Sequence, residues 1–225
     1  MTSKKLTRTS LSEQIYRDLR RALMDGEYRP AERLTIAGVA DTYGTSSTPV
    51  REAIMRLASE RALNFTAATS VAVPELTPRD LREIVAIRRD LEGRAAARVG
   101  EIATPSHIAE FEEINSRFTA AAAKDPREAA QHNRAFHFLI LRRAELPFIE
   151  AICENMWTLM GPFLRSFHEE MPVRELSADD HHHFRFIAAL KAGDGDAARE
   201  AMQADIEWSN KLILRQEAAG VQATE

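Results

Sequence analysis

Cysteine is almost missing from this chain. Cys153 stands alone in 225 residues, so no intramolecular disulfide can form and a cysteine-built zinc site is excluded. Long apolar runs are missing too: none reaches the ~18 residues of a membrane span, and the first residues lack the apolar core of a secretion signal. No phosphate loop, nucleophile motif or pair of catalytic carboxylates is present. These absences predict a cytoplasmic protein without membrane contact and argue against an enzyme. A surplus of positive charge is also lacking overall, since the net charge is −4. The balance is uneven, however. Residues 1–73 carry 11 Lys and Arg against 8 Asp and Glu, a net of +3, and the remainder carries 19 against 26, a net of −7. The positive share, including Lys4, Lys5 and Arg8, lies where a polyanion would have to bind.

What is present is most specific between residues 33 and 57, RLTIAGVADTYGTSSTPVREAIMRL. Thr35 is placed to cap a helix whose inward residues Ile36, Val39, Ala40 and Tyr43 follow helical spacing. Gly44 suits the left-handed position that ends it. Thr45, Ser46 and Ser47 offer caps for a second helix, with Pro49 in its first turn. There Val50, Ala53, Ile54 and Leu57 face inward, leaving Ser47, Thr48, Arg51, Met55 and Arg56 outside. Two short helices across a tight turn can lay the second in a DNA major groove, where hydroxyls and arginines suit phosphates and base edges. Two helices of an ordinary core would have the same pattern, so the flanks decide.

Upstream, Leu11, Ile15, Leu19, Leu23 and Met24 line one side of an amphipathic helix, with Arg17, Arg20 and Arg21 outward. Downstream, residues 62–65 and 70–73 have the length and composition of two short strands, enough for a wing hairpin. The segments IYRDLRRALMDGEYRPAERL, VADTYG and, above all, SSTPVREAIMRL resemble the GntR family of bacterial transcription regulators. The resemblance implies a winged helix-turn-helix over residues 1–75. It would bind a palindromic double-stranded DNA operator as a homodimer, through Arg33, Ser46, Ser47, Thr48, Arg51, Met55 and Thr69. Three departures stand out. Ser47 replaces a usual arginine, Ala31 replaces a usual glycine after Pro30, and the wing segment FTAATSVAV lacks a glycine at its tip. Without that glycine, Ala67, Ala68 and Thr69 predict a longer or differently shaped wing.

Pro74-Glu75-Leu76-Thr77-Pro78 marks a boundary, because Thr77 and Pro78 form an N-cap and first-turn pair. Helices are predicted at 78–99, 105–123, 126–143, 147–168, 178–192 and 194–218, with a kink at Gly161-Pro162. The predicted fold is mainly α: an N-terminal winged helix-turn-helix with a small β-hairpin, then an all-α helical bundle over residues 76–225. IRRDLEGRAAA, NRAFHFLI and HFRFIAALKAGDGDAAREAM resemble the FCD ligand-binding domain of the FadR-like branch, and six helices match its smaller, VanR-like variant.

In this half, polar side chains occupy positions where helical periodicity demands apolar ones. Asn133 and His137 share a face with Ala130, Ile140, Leu141 and Ala144. His183 is in phase with Phe186, Ile187 and Leu190, whereas His181 and His182 are rotated away from that direction. Asp205 lies on the stripe of Ala198, Met202, Trp208 and Leu212, and Arg88 on that of Ile84, Leu91 and Ala95. An inward charge has to be paired, hydrogen-bonded or bound to metal. One such histidine is usually a satisfied core residue, but four polar residues from three helices can also converge on a divalent ion.

The FCD resemblance implies the second outcome, with Asn133, His137, His183 and Asp205 at the ligand positions. The family's first aspartate has become Asn133 and its last histidine Asp205, so the formal charge offered to the cation is unchanged. Zinc is one candidate, although the weak amide ligand favours harder, oxygen-loving ions. Arg88 offers a fork for a carboxylate, or a salt bridge to Asp205 or Glu92. Trp157, Phe136 and Trp208 are candidates for the cavity lining or for simple core. The sequence therefore predicts a ligand-responsive regulator, released from its operator by a small organic acid bound at Arg88, Asn133, His137 and His183. The competing readings are a metal-dependent enzyme built on His137, His183 and Asp205, and a regulator whose metal is purely structural.

Overall fold

The computed structural model describes residues 11–170, 181–208, 210, 213 and 214. Lys4, Lys5 and Arg8, residues 178–180 of the fifth expected helix and most of 209–218 lie outside the described residues.

The N-terminal region runs α1 (Leu11–Met24), β1 (Arg33–Thr35), α2 (Ile36–Thr42), α3 (Ser47–Ser59), β2 (Asn64–Ala67) and β3 (Ser70–Ala72). Thr35 caps α2 by accepting from the Gly38 amide, and Gly44 takes the left-handed conformation expected of it, at φ 59°. The inward residues of α3, Val50, Ala53, Ile54 and Leu57, are all buried against Ile15, Leu19 and Leu23 of α1. Leu11, expected inward, is 45% exposed at the first turn of α1. The sheet has one strand more than the sequence pattern indicates: β1 joins an antiparallel order β1-β3-β2, with Leu34 opposite Val71. Three residues are too short for alternation to reveal a strand.

The wing is differently shaped, one of the two expected outcomes, but not longer. Only Ala68 and Thr69 separate the paired residues Ala67 and Ser70, so the hairpin is tight without glycine. Its register slips between Phe65 and Ala67, making Thr66 the extra residue of a β-bulge. The bulge bends and twists the strand, and none of the wing residues adopts a positive φ. Ala31 does adopt one, at φ 63°, keeping the left-handed turn that a glycine would enter without steric cost.

The second region contains α4 (Pro78–Ile102), α5 (Pro105–Ala122), α6 (Pro126–Arg143), α7 (Pro147–Glu170), α8 (His182–Ala192) and α9 (Gly195–Glu207). Thr77 and Asp80 close a capping box ahead of α4, Asp125 and Asp194 cap α6 and α9, and Gly193 ends α8 in the left-handed conformation. α4 packs along α9, α5 along α6, and α8 along α9, around a core that includes Phe111, Phe136, Phe186 and Met202.

α1 and α7 join the two regions. Arg20, expected on the outer surface, is only 15% exposed and reaches across the joint to Glu154 at 2.9 Å and to the Thr158 hydroxyl at 3.2 Å. The partner helix, invisible to a periodicity count, removes that surface from water. Arg134 of α6 pairs with Asp25 just beyond α1. Gly161 explains why a residue without a side chain sits inside α7, next to Pro162: a Cβ there would lie 2.1 Å from the Leu23 carbonyl oxygen. The backbones meet with no room between them.

Candidate functional site

The surface of α3 and the wing gathers the residues expected to meet DNA. Ser46, the N-cap residue of α3, makes no side-chain cap hydrogen bond, and it is exposed together with Ser47, Thr48, Arg51 and Met55. Arg33 on β1 and Thr69 at the wing tip are exposed as well. Arg51 Nη1 donates to the Ala68 carbonyl oxygen at 2.9 Å, which ties the middle of α3 to the tip of the wing. Arg56 turns away from this surface. Its guanidinium stacks 3.6 Å from the Tyr16 ring and pairs with Glu13 at 2.6 Å.

In the helical region, α6, α8 and α9 bring His137, His183 and Asp205 together, with one ligand atom from each within 4.8 Å of the others. His137 Nε2 lies 3.1 Å from Asp205 Oδ2, and His183 Nε2 lies 4.0 Å from the same oxygen. Both imidazoles are buried and the carboxylate is 10% exposed. Asn133, one turn before His137 on α6, is half-buried.

Each imidazole is held from behind. His137 Nδ1 meets Glu92 Oε2 at 2.7 Å. His183 Nδ1 meets Asn115 Oδ1 at 3.2 Å, and its ring stacks on Phe136 at 3.8 Å and 8°. With Nδ1–H donating to the Asn115 oxygen, His183 Nε2 keeps its lone pair, and that buried atom has no hydrogen-bond partner. A buried polar atom left without a partner is costly. A cation beside Asp205 would satisfy it, and two imidazoles with a carboxylate suit a divalent transition metal. The residues present therefore fit such an ion, which His137, His183 and Asp205 would hold, with Asn133 adjacent.

The charges around the cluster are strongly perturbed. Burial alone would raise the Glu92 carboxyl, but Arg88 and His137 hold it down at about 2. Burial likewise opposes the Asp205 carboxylate, which His183, His137 and His181 keep well below the usual range. His137 is raised: burial pushes it down, and Glu92 and Asp205 on either side outweigh that. Burial keeps His183 neutral, lowering it well below its ordinary value.

Arg88 is the residue that the fold places differently from a free anion fork. It is buried, with Nε 2.6 Å from Glu92 Oε1, Nη2 3.5 Å from Glu92 Oε2, and its guanidinium carbon 3.8 Å from the Trp157 ring. Trp157 Nε1 donates to Glu92 Oε1 at 3.1 Å, so it is part of the same network. Trp208 caps the end of α9 and is half-buried.

Two participants escaped the sequence pattern. Asn115 sits in phase with Phe111, Phe118 and Ala122 on α5, so the periodicity that exposed Asn133 would have exposed it too. Helical geometry would rotate His181 away from His183. His181 precedes the helix, with extended φ −135° and ψ 136°, so the helical angle does not apply, and its Nε2 lies 3.5 Å from Asp205 Oδ1.

Comparison with known proteins agrees with this architecture along the chain. Residues 11–73 match the gntR family of bacterial regulatory proteins, and residues 83–207 match the FCD domain. The transcriptional regulator McbR of Escherichia coli K12 is 36% identical over 95% of this chain and 96% of its own. The solved structure of E. coli McbR/YncC superposes with a TM-score of 0.86 at 33% identity, covering 93% of this chain and all of that one. A protein of Paenarthrobacter nicotinovorans named "Probable D-xylose utilization operon transcriptional repressor" is 30% identical over 89% of this chain and 88% of its own.

Proposed function

This chain belongs to the GntR family, as a DNA-binding transcriptional regulator with an FCD domain rather than an enzyme, and we propose that it is a repressor switched by a small organic acid. Residues 1–75 form the DNA-binding unit and residues 76–225 the unit that binds the effector and dimerises. Each protomer sets α3 into one half of a palindromic operator, with Ser46, Ser47, Thr48, Arg51 and Met55 facing the groove and Arg33 and Thr69 flanking it. Relatives carrying repressor names support the sign of the regulation.

The observation that carries the switch is the double contact made by α6 and α7. α6 turns His137 toward the polar cluster and Arg134 toward Asp25 beside α1. α7 turns Trp157 toward Glu92 and places Glu154, Thr158 and Gly161 against α1. A ligand that shifts either helix would move α1, and with it α3, which packs on α1. Binding one arrangement better than the other is all that such linkage requires.

His137, His183 and Asp205 would hold a divalent cation, which would supply a Lewis-acidic point for a carboxylate. Arg88 is occupied by Glu92, so its part is to hold that carboxylate behind His137. The acid then depends on the cation and on Asn133. The test starts from an operator fragment selected by the protein from random duplex DNA. Fluorescence anisotropy would then follow its release across a panel of organic acids, with and without added zinc or manganese. Release by an acid only in the presence of the metal supports the reading. Unchanged affinity across the saturated panel sinks the switch. A cation that raises thermal stability strongly while no acid has any effect would instead mark a structural metal.

A further inference from the structure

A third histidine touches the cluster from outside the set of three ligands. His181 lies at the mouth of α8, with its side chain 12% exposed and its ring packed edge-on against His183 at 4.4 Å and tilted against Phe118 at 4.7 Å. Its Nδ1 accepts a hydrogen bond from the His183 backbone amide at 3.3 Å and so caps the helix. A ring nitrogen that accepts from an amide has its lone pair engaged. In a neutral imidazole the proton then resides on the other nitrogen, which makes Nε2 a donor. That Nε2 faces Asp205 Oδ1 at 3.5 Å, whereas His137 and His183 direct their Nε2 atoms at Oδ2.

We propose that His181 is a positioning residue: it holds Asp205 by Oδ1, keeps Oδ2 turned toward a divalent cation shared with His137 and His183, and is not itself a ligand. The inference rests on the cation reading given above. It completes a pattern in which each ligand is held on its far side by a different helix or cap: His137 by Glu92, His183 by Asn115, Asp205 by His181. Outer partners of this kind fix ring and carboxylate orientation and are commonly worth ten- to a hundredfold in metal affinity. For His181 to ligate through Nε2, its proton would have to move to Nδ1, and the α8 cap would be lost. The site therefore offers three protein ligands and leaves coordination positions open to a carboxylate effector.

Cobalt(II), followed by its visible absorption, tests this on the full-length chain after chelator treatment. His181→Asn keeps an N-cap side chain but is too short to reach Asp205. His181→Gln restores a donor amide at greater reach. The expected result is that His181→Asn binds cobalt about ten- to a hundredfold more weakly, with the same absorption bands at saturation. His181→Gln should recover part of that loss. Equal affinity in the wild type and both variants overturns the proposal. A saturated spectrum altered as by loss of an imidazole ligand also overturns it, because His181 would then be a ligand. A wild-type chain with no cobalt band removes the cation reading itself, and this proposal with it. That outcome is distinct from a failure confined to the variants.

Discussion

The two regions of the molecule treat polarity in opposite ways. Among the described residues, every buried polar or charged side chain lies in the helical region: Arg88, Glu92, Asn115, His137, Thr158 and His183. The core of the winged region is built from Ile15, Leu19, Leu23, Ile36, Ile54, Leu57 and other apolar residues, with Tyr16 its most polar member. Tyr16 directs its hydroxyl to Glu60 at 2.7 Å, at the edge of that core. One region puts its chemistry outside, on a face meant for a polyanion, and needs only a dry core to hold that face in shape. The other puts its chemistry inside, at a cost in desolvation that only mutual pairing offsets.

The sharpest way to break this contrast is at Glu92, which serves Arg88, His137 and Trp157 at once. Glu92→Ala leaves a buried guanidinium unpaired and should destabilise the helical region by about 3–5 kcal/mol. A drop in thermal midpoint of roughly 10 °C is expected, read by circular dichroism. An unshifted midpoint would mean that the network adds nothing to stability. Acid provides the same test reversibly. The folded Glu92 carboxyl is depressed to about 2 from an ordinary 4.5. Its contribution is therefore fully present above 4.5 and lost as pH falls toward 2. Glu92→Gln should flatten that limb of the stability curve and leave the limb above pH 5 parallel to wild type.

Gly161→Ala tests the joint between the regions. An added methyl has no space beside the Leu23 carbonyl, and overpacking of this kind typically costs 1–3 kcal/mol. We expect cobalt affinity to be kept while the operator response to effector weakens. Unaltered linkage would show that the signal travels by another contact. Arg51→Ala confines the damage to the DNA face. Losing a groove or phosphate contact of about 1–3 kcal/mol should weaken operator binding roughly tenfold to a hundredfold. Metal binding and thermal midpoint should stay near wild type, and equal operator affinity would remove Arg51 from the interface. The smallest effect is expected at Ala31. Its left-handed backbone is strained by about 1–2 kcal/mol, part of which glycine's extra freedom in the unfolded chain would cancel. Ala31→Gly should raise stability by less than about 1 kcal/mol in urea titration.

Much of this was already legible along the chain. Local signals located the capping of α2 by Thr35, the turn at Gly44, the inward stripe of α3 and the Thr77-Pro78 start of α4, because each depends on residues within a few positions of one another. The same periodicity marked His137, His183 and Asp205 as inward. It failed where its premise did: His181 lies before the first turn of α8, the three residues of β1 are too few for alternation to stand out, and the wing turned tightly without a glycine beside a bulge at Thr66.

The sequence by itself determined the inward direction of most side chains within a helix, Val50, Ile54, His137 and His183 among them, since spacing sets direction through backbone geometry alone. Only the tertiary structure decided whom they would meet. Glu92 met His137 and Trp157, His183 met Asn115 and Asp205, and Arg20 met Glu154, because partners from distant helices are chosen by packing. A buried charge takes the arrangement in which its lost hydration is most nearly replaced.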